Sequence, residues 1–373
     1  MTLYADRRAA LRASLDEAGL DALFIGSAAN RRYLTGFVGS AGYVLIGRET
    51  DELLVDGRYV TQARVQAPDI NVRFAGTQPQ QGACERITEL GLRKVGFEAL
   101  QVTVARLDKF QEHAPEVEWI STRDLVENLR AAKAPVEIEA LRRAVAVSDG
   151  AIAHAYAMAA PGMTEAELAW RLEVWMREHG AEKLAFDIIV AAGENSSRPH
   201  HHPSQRPLRA GEPITIDLGA VVEGYHSDVT RTFSIGPVIE QAEEYDRVWH
   251  LVDRARQAAI AALQPGVSGK QADQAARDPI TAAGHGEHFG HGTGHGVGLE
   301  IHEGPRLSKI APETPLPVGC AVTVEPGVYL PERFGVRIED LVVLGPDGAE
   351  VLTQVANMPV VMPATTAAMP QGG

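Results

Sequence analysis

Two aspartates lie within apolar runs on either side of a tight turn in the segment TIDLGAVVEGYHSDVTRTF, residues 215–233. The pair Glu223-Gly224 has the composition of a hairpin turn between two strand-like runs. Antiparallel pairing around that turn folds Asp217 and Asp228 back to nearly opposite positions. Two carboxylates are therefore expected to face each other.

The same arrangement recurs with two glutamates in AVTVEPGVYLPERFGVRIEDLVV, residues 321–343. The loop from Pro331 to Phe334 lies midway between Glu325 and Glu339, so these acids also meet across a hairpin. Taken singly, such an Asp is more often a turn cap and such a Glu a strand residue facing solvent. Two hairpins with one arrangement favour a shared site instead, and four acids in apolar runs without matching basic residues require a cation.

The glycine-rich segment GHGTGHGVGLEIHE, residues 290–303, carries three histidines, His291, His295 and His302. Glycine lets the backbone approach a site closely, and imidazole is the usual nitrogen ligand for metals. A phosphate-binding loop is a poor alternative, because the following Lys and the GxGxxG pattern of such loops are missing. One imidazole and four carboxylates suit Mn, Co or Zn, and a pair of such ions about 3.5–4 Å apart can polarise a carbonyl group for hydrolysis.

The composition excludes several classes of function. The formal net charge of −14 argues against binding to nucleic acid or to an anionic membrane surface, since both depend on Lys and Arg. Cys84 and Cys320 are far apart and lack His or Cys at metal-ligand spacing, so neither a disulfide framework nor a thiolate zinc site is expected. The amino terminus predicts an amphipathic helix ending at Gly19 rather than a signal peptide, and no segment approaches the roughly 20 apolar residues of a membrane span. We therefore predict a cytoplasmic protein.

Residues 1 to about 130 alternate short apolar runs with helical patterns, which predicts an α/β amino-terminal domain. The strand-like runs are ALFIG, YVLIG, ELLVDGRY, KVGFEAL and VEWI, and helices are predicted at 60–67, 103–113 and 123–132. Pro135 stands at a position suited to the first turn of a helix, which indicates that a new domain begins near residue 133.

The second part of the chain contains an internal repeat. An Ala-rich helix predicted at 136–160 runs into the sequence PGMT and a second amphipathic helix. The helix predicted at 241–264 runs into PGVS and another helix, 104 positions later. Sequence rich in β-strand formers follows each pair, at 184–235 and at 320–355. Two halves related by an approximate twofold axis are therefore expected to contribute their sheets to one curved surface.

These residues resemble those of the pita-bread metallopeptidases, which comprise methionine aminopeptidase, aminopeptidase P and prolidase. The resemblance covers most of the chain, and five residues match the family's metal ligands in order: Asp217, Asp228, His295, Glu325 and Glu339. The aspartates are eleven positions apart, and a further His follows the ligand His by seven. The resemblance implies two divalent ions, with manganese expected first and cobalt or zinc as alternatives. Asp217 would bind one ion, His295 and Glu325 the other, and the remaining two acids would bridge them.

The same resemblance assigns catalytic roles to three side chains. His200, in NSSRPHHHP, matches a His that contacts the substrate, and His302 matches a His that hydrogen-bonds the scissile group. Glu325 would shuttle the proton between the attacking water and the departing nitrogen. The two histidines that follow His200, His201 and His202, are expected to face solvent.

Three features favour the proline-specific branches of the family. His291 matches a His lining the proline-side pocket, and Arg337 matches an Arg of these branches that contacts substrate, although a strand-face charge paired with a nearby acid is the alternative. The third feature is the α/β domain predicted for residues 1 to about 130, since methionine aminopeptidases usually lack a folded amino-terminal domain. The motifs NRRYLTGFVGSAG and VDGRYVTQA look more like aminopeptidase P than prolidase. The resemblance thus implies hydrolysis of the bond between an amino-terminal residue and proline, with the Xaa-Pro dipeptidase activity of prolidase as the alternative.

The implied fold is a creatinase-like α/β amino-terminal domain, residues 1–132, followed by an α+β pita-bread domain, residues 133–363, with a pseudo-twofold repeat and a curved antiparallel sheet. Residues 364–373 are expected to form a disordered tail. Because relatives are often dimers, we expect a homodimer acting on small peptides with proline in second position, without nucleic-acid or membrane partners. Two remote alternatives are a metal-free peptide-binding relative and a metal-free creatinase-like hydrolase, and the intact set of five ligands argues against both.

Overall fold

In the computed structural model, which describes residues 2–362, the chain divides between Arg130 and Ala131 into two structural units. The tail predicted at residues 364–373 lies outside the described residues. Within residues 2–362, no helix is both long enough and apolar enough to cross a bilayer.

The apolar runs of the first unit form one six-stranded mixed sheet. Its strands are β1 (Ala22–Ile25), β2 (Tyr43–Gly47), β3 (Asp51–Val55), β4 (Asn71–Phe74), β5 (Lys94–Glu98) and β6 (Glu118–Thr122). Across the sheet they follow the order β4-β3-β2-β1-β5-β6, in which β2 runs antiparallel to both of its neighbours and the other pairs are parallel. The helices are α1 (Leu3–Glu17), α2 (Ala28–Thr35), α3 (Val60–Gln66), α4 (Pro79–Glu89), α5 (Val104–His113) and α6 (Glu127–Ala131).

The α/β prediction for this unit is confirmed, with local differences. Sequence patterning misses β4, a strand of only four residues at the sheet edge whose side chains are exposed or half-buried. It also misses α2 and α4, whose sequences are largely polar. The strand predicted at 52–59 ends at Val55, since the carboxylate of Asp56 accepts the N–H of Arg58 and turns the chain.

The second unit contains the repeated helix pairs that the sequence predicts. Its helices are α7 (Pro135–Met158), α8 (Glu165–Glu178), α9 (Ala242–Ala262) and α10 (Gly269–Ala282). Between the members of each pair stands a glycine with positive φ, Gly162 at +94° and Gly266 at +95°. Thr164 and Ser268 then cap the second helices by accepting hydrogen bonds from backbone N–H groups. The matching backbone conformations confirm the internal repeat.

Short strands follow each helix pair. In the first half they are β7 (Lys183–Leu184), β8 (Ile189–Ala192), β9 (Pro213–Leu218), β10 (Ala220–Val222), β11 (Tyr225–His226) and β12 (Val229–Ile235). In the second half they are β13 (Gly294–Gly296), β14 (Glu303–Leu307), β15 (Ala321–Val324), β16 (Gly327–Leu330), β17 (Phe334–Arg337), β18 (Asp340–Gly345), β19 (Gly348–Val351) and β20 (Val360–Val361). They form sheets of order β11-β10-β7, β20-β12-β9-β8, β14-β13-β15-β18-β19 and β16-β17. All of these pairings are antiparallel except that of β12 with β20, through which the second half joins the sheet of the first.

Each helix pair packs on the strands of its own half. Leu168 of α8 shares a buried apolar cluster with Ile216 of β9, and Val252 of α9 shares another with Val342 of β18. All four side chains are fully buried. A third cluster joins the two halves, because Leu141 of α7 packs with Leu341 of β18.

The first acidic hairpin forms as predicted. β9 and β12 pair so that Asp217 faces Thr230, which places Asp228 two positions away from direct opposition to Asp217. At the tip, Glu223 and Gly224 have φ values of +48° and +71°, as a two-residue hairpin turn requires.

The second acidic hairpin has a more direct register. β15 pairs with β18 through Val324 and Asp340, and β16 pairs with β17 in the same register. Glu325 and Glu339 therefore lie directly opposite each other, between these two stretches of pairing.

Two glycines let β13 approach its neighbours closely. A Cβ atom at residue 294 would lie 1.9 Å from the carbonyl oxygen of Thr323, and one at residue 296 would lie 2.2 Å from that of Gly304. Since both neighbours are backbone atoms, no side chain can move aside to make room. His295 is consequently held between two positions that require glycine.

We expect Gly294→Ala to lower the free energy of unfolding by roughly 1–3 kcal/mol, because the added methyl group must push β13 away from β15. Gly290→Ala is the matched control in the same loop, since a Cβ atom there meets no atom within 4 Å. Chemical denaturation of the two metal-free variants measures the difference. Equal stability of the two would contradict the close approach.

Candidate metal centre

The five candidate ligands converge on one polar cluster. Carboxylate oxygens of Asp217, Asp228 and Glu339 all lie within 4.8 Å of one another. Nε2 of His295 lies 3.6 Å from Oδ2 of Asp228 and 3.5 Å from Oε1 of Glu325. Both acidic hairpins and the glycine-rich loop therefore contribute to the same site.

Hydrogen bonds fix the two glutamates. The N–H of Glu325 donates to the carbonyl oxygen of Thr293 at 2.7 Å, and the N–H of Glu339 donates to that of Thr230 at 3.1 Å. The hydroxyl group of Thr230 also donates to Oε2 of Glu339 at 2.7 Å. Because Thr230 belongs to the first hairpin and Glu339 to the second, these contacts join the two halves at the site.

Burial raises the pKa of three of the carboxyl groups. For Asp228 and Glu339 the pKa lies well above the usual value, mainly because burial penalises the charged form and also because neighbouring carboxylates repel it. Burial likewise raises the pKa of Glu325 to about 8, although Arg337 acts in the opposite direction. Without a bound cation, the cluster therefore holds protons at neutral pH.

His295 presents a neutral ring to the acids. Its Nδ1 lies 3.1 Å from the carbonyl oxygen of Gly296, which makes Nδ1 the donor and leaves Nε2 facing the carboxylates as an acceptor. Burial lowers the pKa of His295 to about 4. A neutral imidazole whose second nitrogen is held by a carbonyl oxygen is typical of metal-ligating histidines.

The donor set fits divalent metal ions. Oδ1 of Asp217 is buried without a hydrogen-bond partner, while Oδ2 accepts a hydrogen bond from Nη2 of Arg337 at 2.7 Å. Several carboxylate oxygens and one imidazole nitrogen match the ligand preferences of Mn, Co and Zn. A cation bound at the cluster would satisfy the unpaired oxygen and compensate the crowded carboxylates.

Arg337 connects the acids with the remaining polar groups of the site. Its Nε donates to Oγ1 of Thr230 at 3.1 Å, and its Nη1 donates to the hydroxyl oxygen of Tyr329 at 2.9 Å. Arg337 pairs with an acid, as a strand-face charge would, but its side chain is only 5% exposed. The guanidinium group therefore belongs to the site and not to an outer face of the sheet.

Three further histidines lie near the cluster. The ring centroid of His302 is 4.3 Å from that of His295, and Nε2 of His291 lies 2.9 Å from the hydroxyl oxygen of Tyr329. Burial lowers the pKa of His302 and lowers that of His291 to about 4, and the charge of His200 contributes to both shifts. Of the histidines predicted to contact substrate, the structure thus places His302 beside the candidate ligand His295 and His291 beside Tyr329, while His200 is exposed.

His201 and His202 do not share one environment. His202 is exposed, as predicted. The prediction for His201 is wrong, because its side chain is 9% exposed and its Nε2 lies 2.9 Å from Oε2 of the buried Glu165. The partner comes from a helix distant in the sequence, so the local run of histidines gives no sign of it.

Sequence analysis also missed the groups that hold the glycine-rich loop. Asp273 and Arg277, one turn apart on α10, form a buried ion pair at 2.8 Å. Asp273 accepts a hydrogen bond from the N–H of Thr293 at 3.0 Å, and Arg277 donates to the carbonyl oxygen of His291 at 2.8 Å. The spacing of Asp273 and Arg277 is visible in the sequence, but solvent-exposed ion pairs of helices have the same spacing.

Comparison with known proteins identifies the family. The model of metallopeptidase family M24 matches residues 139–346, and that of the creatinase/prolidase N-terminal domain matches residues 7–132. The chain belongs to metallopeptidase family M24 and is a metallopeptidase with a creatinase-type amino-terminal domain. The predicted family, two-domain fold and enzyme class are thereby confirmed.

Individual relatives match over nearly the whole chain. An Xaa-Pro dipeptidase of Pyrococcus furiosus is 34% identical over 341 residues, which is 91% of this chain and 95% of that protein. The structure of an Xaa-Pro dipeptidase from Bacillus anthracis superposes with a TM-score of 0.92 at 37% identity, covering 96% of this chain and 99% of that one. An X-Pro aminopeptidase from Thermotoga maritima MSB8 gives a TM-score of 0.85 at 37% identity, covering 92% and 98%.

We expect binding of Mn²⁺ to release protons and to strengthen as the pH rises. A cation binds the ionised carboxylates, and in the metal-free protein Glu325 is protonated below its pKa of about 8. The affinity should therefore increase between about pH 6 and pH 8. Titration calorimetry in buffers of different ionisation enthalpy measures both the affinity and the protons released.

Glu313→Gln is the control for this titration, because Glu313 is an exposed carboxylate paired with Lys270. The control should release as many protons as the unaltered protein, and Glu339→Gln should release fewer. An affinity for Mn²⁺ that does not change over this pH range would contradict the raised carboxyl pKa values.

Proposed function

We propose that this metallopeptidase hydrolyses the peptide bond between an amino-terminal residue and a following proline. The observation that carries the proposal is the convergence of four carboxylates and the ring of His295 beside His291, His302 and Arg337. Relatives named Xaa-Pro dipeptidase or X-Pro aminopeptidase support it, since those compared match 91–96% of this chain.

The five cluster residues would hold two divalent ions, for which we propose manganese ahead of cobalt and zinc. Asp217, Asp228, His295, Glu325 and Glu339 would be their ligands. When bound, such ions polarise a scissile carbonyl group and lower the pKa of water.

Glu325 is the group that moves the proton in this proposal. The proline nitrogen carries no hydrogen in the peptide bond, so it must gain a proton as that bond breaks. Glu325 takes a proton from the attacking water and gives it to this nitrogen. Its Oε1 lies 3.5 Å from Nε2 of His295, so the carboxylate is placed at the cluster where the water would be activated.

The histidines and Arg337 bind the substrate in this proposal. His302 and His200 are both solvent-accessible, and they would contact the scissile group and the adjoining part of the peptide. The uncharged ring of His291 would line the pocket for the pyrrolidine ring. Arg337, whose guanidinium group is held by a hydrogen bond to the hydroxyl oxygen of Tyr329, would orient the substrate.

An Xaa-Pro dipeptidase is the second candidate. The Bacillus anthracis protein is named a dipeptidase and the Thermotoga maritima protein an aminopeptidase, and both are 37% identical to this chain. The Pyrococcus furiosus relative favours the dipeptidase candidate by its name. Our first proposal remains aminopeptidase activity on Xaa-Pro-Yaa peptides, which rests on the two sequence motifs of the first unit.

Four finer assignments belong to the same proposal. The domains span residues 1–132 and 133–363, the enzyme is a homodimer, its location is cytoplasmic, and its partners are small peptides with proline in second position. The formal net charge of −14 supports substrates of this kind over nucleic acid or an anionic membrane.

Release of the first residue from Xaa-Pro-Yaa peptides should require a divalent cation. Chelation and gel filtration should abolish the reaction, and Mn²⁺, Co²⁺ and Zn²⁺ are then added back separately. Peptides with alanine in place of proline are the control and should be cleaved much more slowly. Cleavage that persists in protein shown by elemental analysis to be free of metal would reject the proposal, and rates on Xaa-Pro and Xaa-Pro-Yaa decide between the two candidates.

Glu325→Gln should lower kcat by at least about 100-fold, because an amide cannot pass the proton to the departing nitrogen. Glu313→Gln again serves as the control and should keep the unaltered kcat. Metal content per chain is measured in parallel, since Glu325 is also a candidate ligand. A Glu325→Gln protein with full metal content and near-normal kcat would remove Glu325 from the proton path.

A further inference from the structure

Glu165 is a completely buried carboxylate at the first position of α8. Within 4 Å, its only ionisable partner among the described residues is His201. Its pKa is nevertheless lowered, because hydrogen bonds from Asn195, Ser204 and His201 outweigh the desolvation that acts in the other direction. The charged carboxylate is therefore held mainly by hydrogen bonds.

All of the hydrogen bonds to this carboxylate come from one segment of the chain, residues 192–204. Oε1 accepts from the N–H of Ala192 at 2.8 Å and from Nδ2 of Asn195 at 3.0 Å. Oε2 accepts from Nε2 of His201 at 2.9 Å, and from the N–H and hydroxyl of Ser204 at 3.0 and 2.6 Å. Five donors saturate the acceptor capacity of a carboxylate, so Glu165 determines the conformation of this segment.

The same segment touches the candidate metal centre. The carbonyl oxygen of Pro199 accepts a hydrogen bond from Nη1 of Arg337 at 3.3 Å, and Oγ of Ser196 accepts one from the N–H of Gly335 at 2.9 Å. Gly335 and Arg337 both belong to β17, which leads into Glu339. His200 follows Pro199 directly, so the placement of its ring depends on the path of this segment.

We propose that Glu165 is a positioning residue for substrate binding: its carboxylate holds residues 192–204 so that His200 and the carbonyl oxygen of Pro199 are set beside Arg337 before the peptide arrives. The proposal rests on the proposed function, because it assigns the segment a role in binding the Xaa-Pro peptide. A preformed segment reduces the ordering cost of binding, and that saving contributes to substrate affinity.

Glu165→Gln tests the proposal with little change of shape. The amide turns one acceptor oxygen into a donor that faces N–H and O–H groups, so the segment must rearrange. We expect KM for Xaa-Pro-Yaa to rise about tenfold with kcat within about threefold of normal, since interactions with bound substrate are lost while the metal ligands stay in place. Hydrogen exchange of residues 192–204 should accelerate in the metal-free protein, and metal content should stay at the unaltered value.

Glu167→Gln is the matched control, because Glu167 lies in the same helical turn and is exposed beside Arg171. It should change neither KM nor hydrogen exchange of the segment. Ser204→Ala is a milder second variant that removes one donor and should give an intermediate rise in KM, and it decides the question if Glu165→Gln does not fold.

Unchanged KM in a folded Glu165→Gln or Ser204→Ala protein would overturn the proposal. So would an equal fall of kcat and metal content, which would show a general structural role instead. Failure of the unaltered enzyme to cleave any Xaa-Pro peptide would reject the proposed function separately. Hydrogen exchange would still show in that case whether Glu165 holds the segment.

Discussion

Four carboxylates gathered around one imidazole set the main constraint on the catalytic unit. Removing each charged carboxylate from water costs on the order of several kcal/mol, and mutual repulsion adds to that cost. Among the acids of the described cluster, Arg337 forms an ion pair with Asp217 alone, so the metal-free site keeps protons on Asp228, Glu325 and Glu339. As the pH rises above the ordinary carboxyl pKa, the unfolded chain binds fewer protons than the folded one, so the metal-free fold loses stability until the raised pKa values are passed. A bound divalent cation stabilises the ionised carboxylates and so offsets this loss of stability.

The site lies where the two halves of the repeat meet, and buried polar contacts hold that junction. Arg231 of β12 donates to the carbonyl oxygen of Glu339 and, at 2.9 Å, to Oδ1 of Asp340. Thr230, its neighbour, holds the backbone and the carboxylate of Glu339. Each half supplies one hairpin, but the distances between ligands are set by these contacts between hairpins. The buried polar contacts between the two hairpins therefore give the centre its geometry.

Beside the charged cluster, hydrogen bonds link Arg337, Tyr329 and His291 and fix the protonation state of each side chain. Arg337 donates to the hydroxyl oxygen of Tyr329, whose own pKa burial raises to about 12. The hydroxyl proton of Tyr329 can then be donated to Nε2 of His291, because Nδ1 of that ring faces the carbonyl oxygen of Gly292 at 2.8 Å. His291 thus stays uncharged next to charged groups. An uncharged, rigid wall suits the pyrrolidine ring of proline, which offers no N–H to bind.

The sequence by itself determined the elements that carry the ligands, because their signals are local. The turn pair Glu223-Gly224 and the repeated Pro-Gly breaks encode backbone conformation within a few residues. Only the tertiary structure decided that Arg337 is buried against Asp217 and that His201 is held by Glu165, 36 positions earlier. Burial and long-range hydrogen bonds depend on how the helices and strands pack against one another. The residues next to a given position in the sequence therefore do not indicate which distant group will contact it.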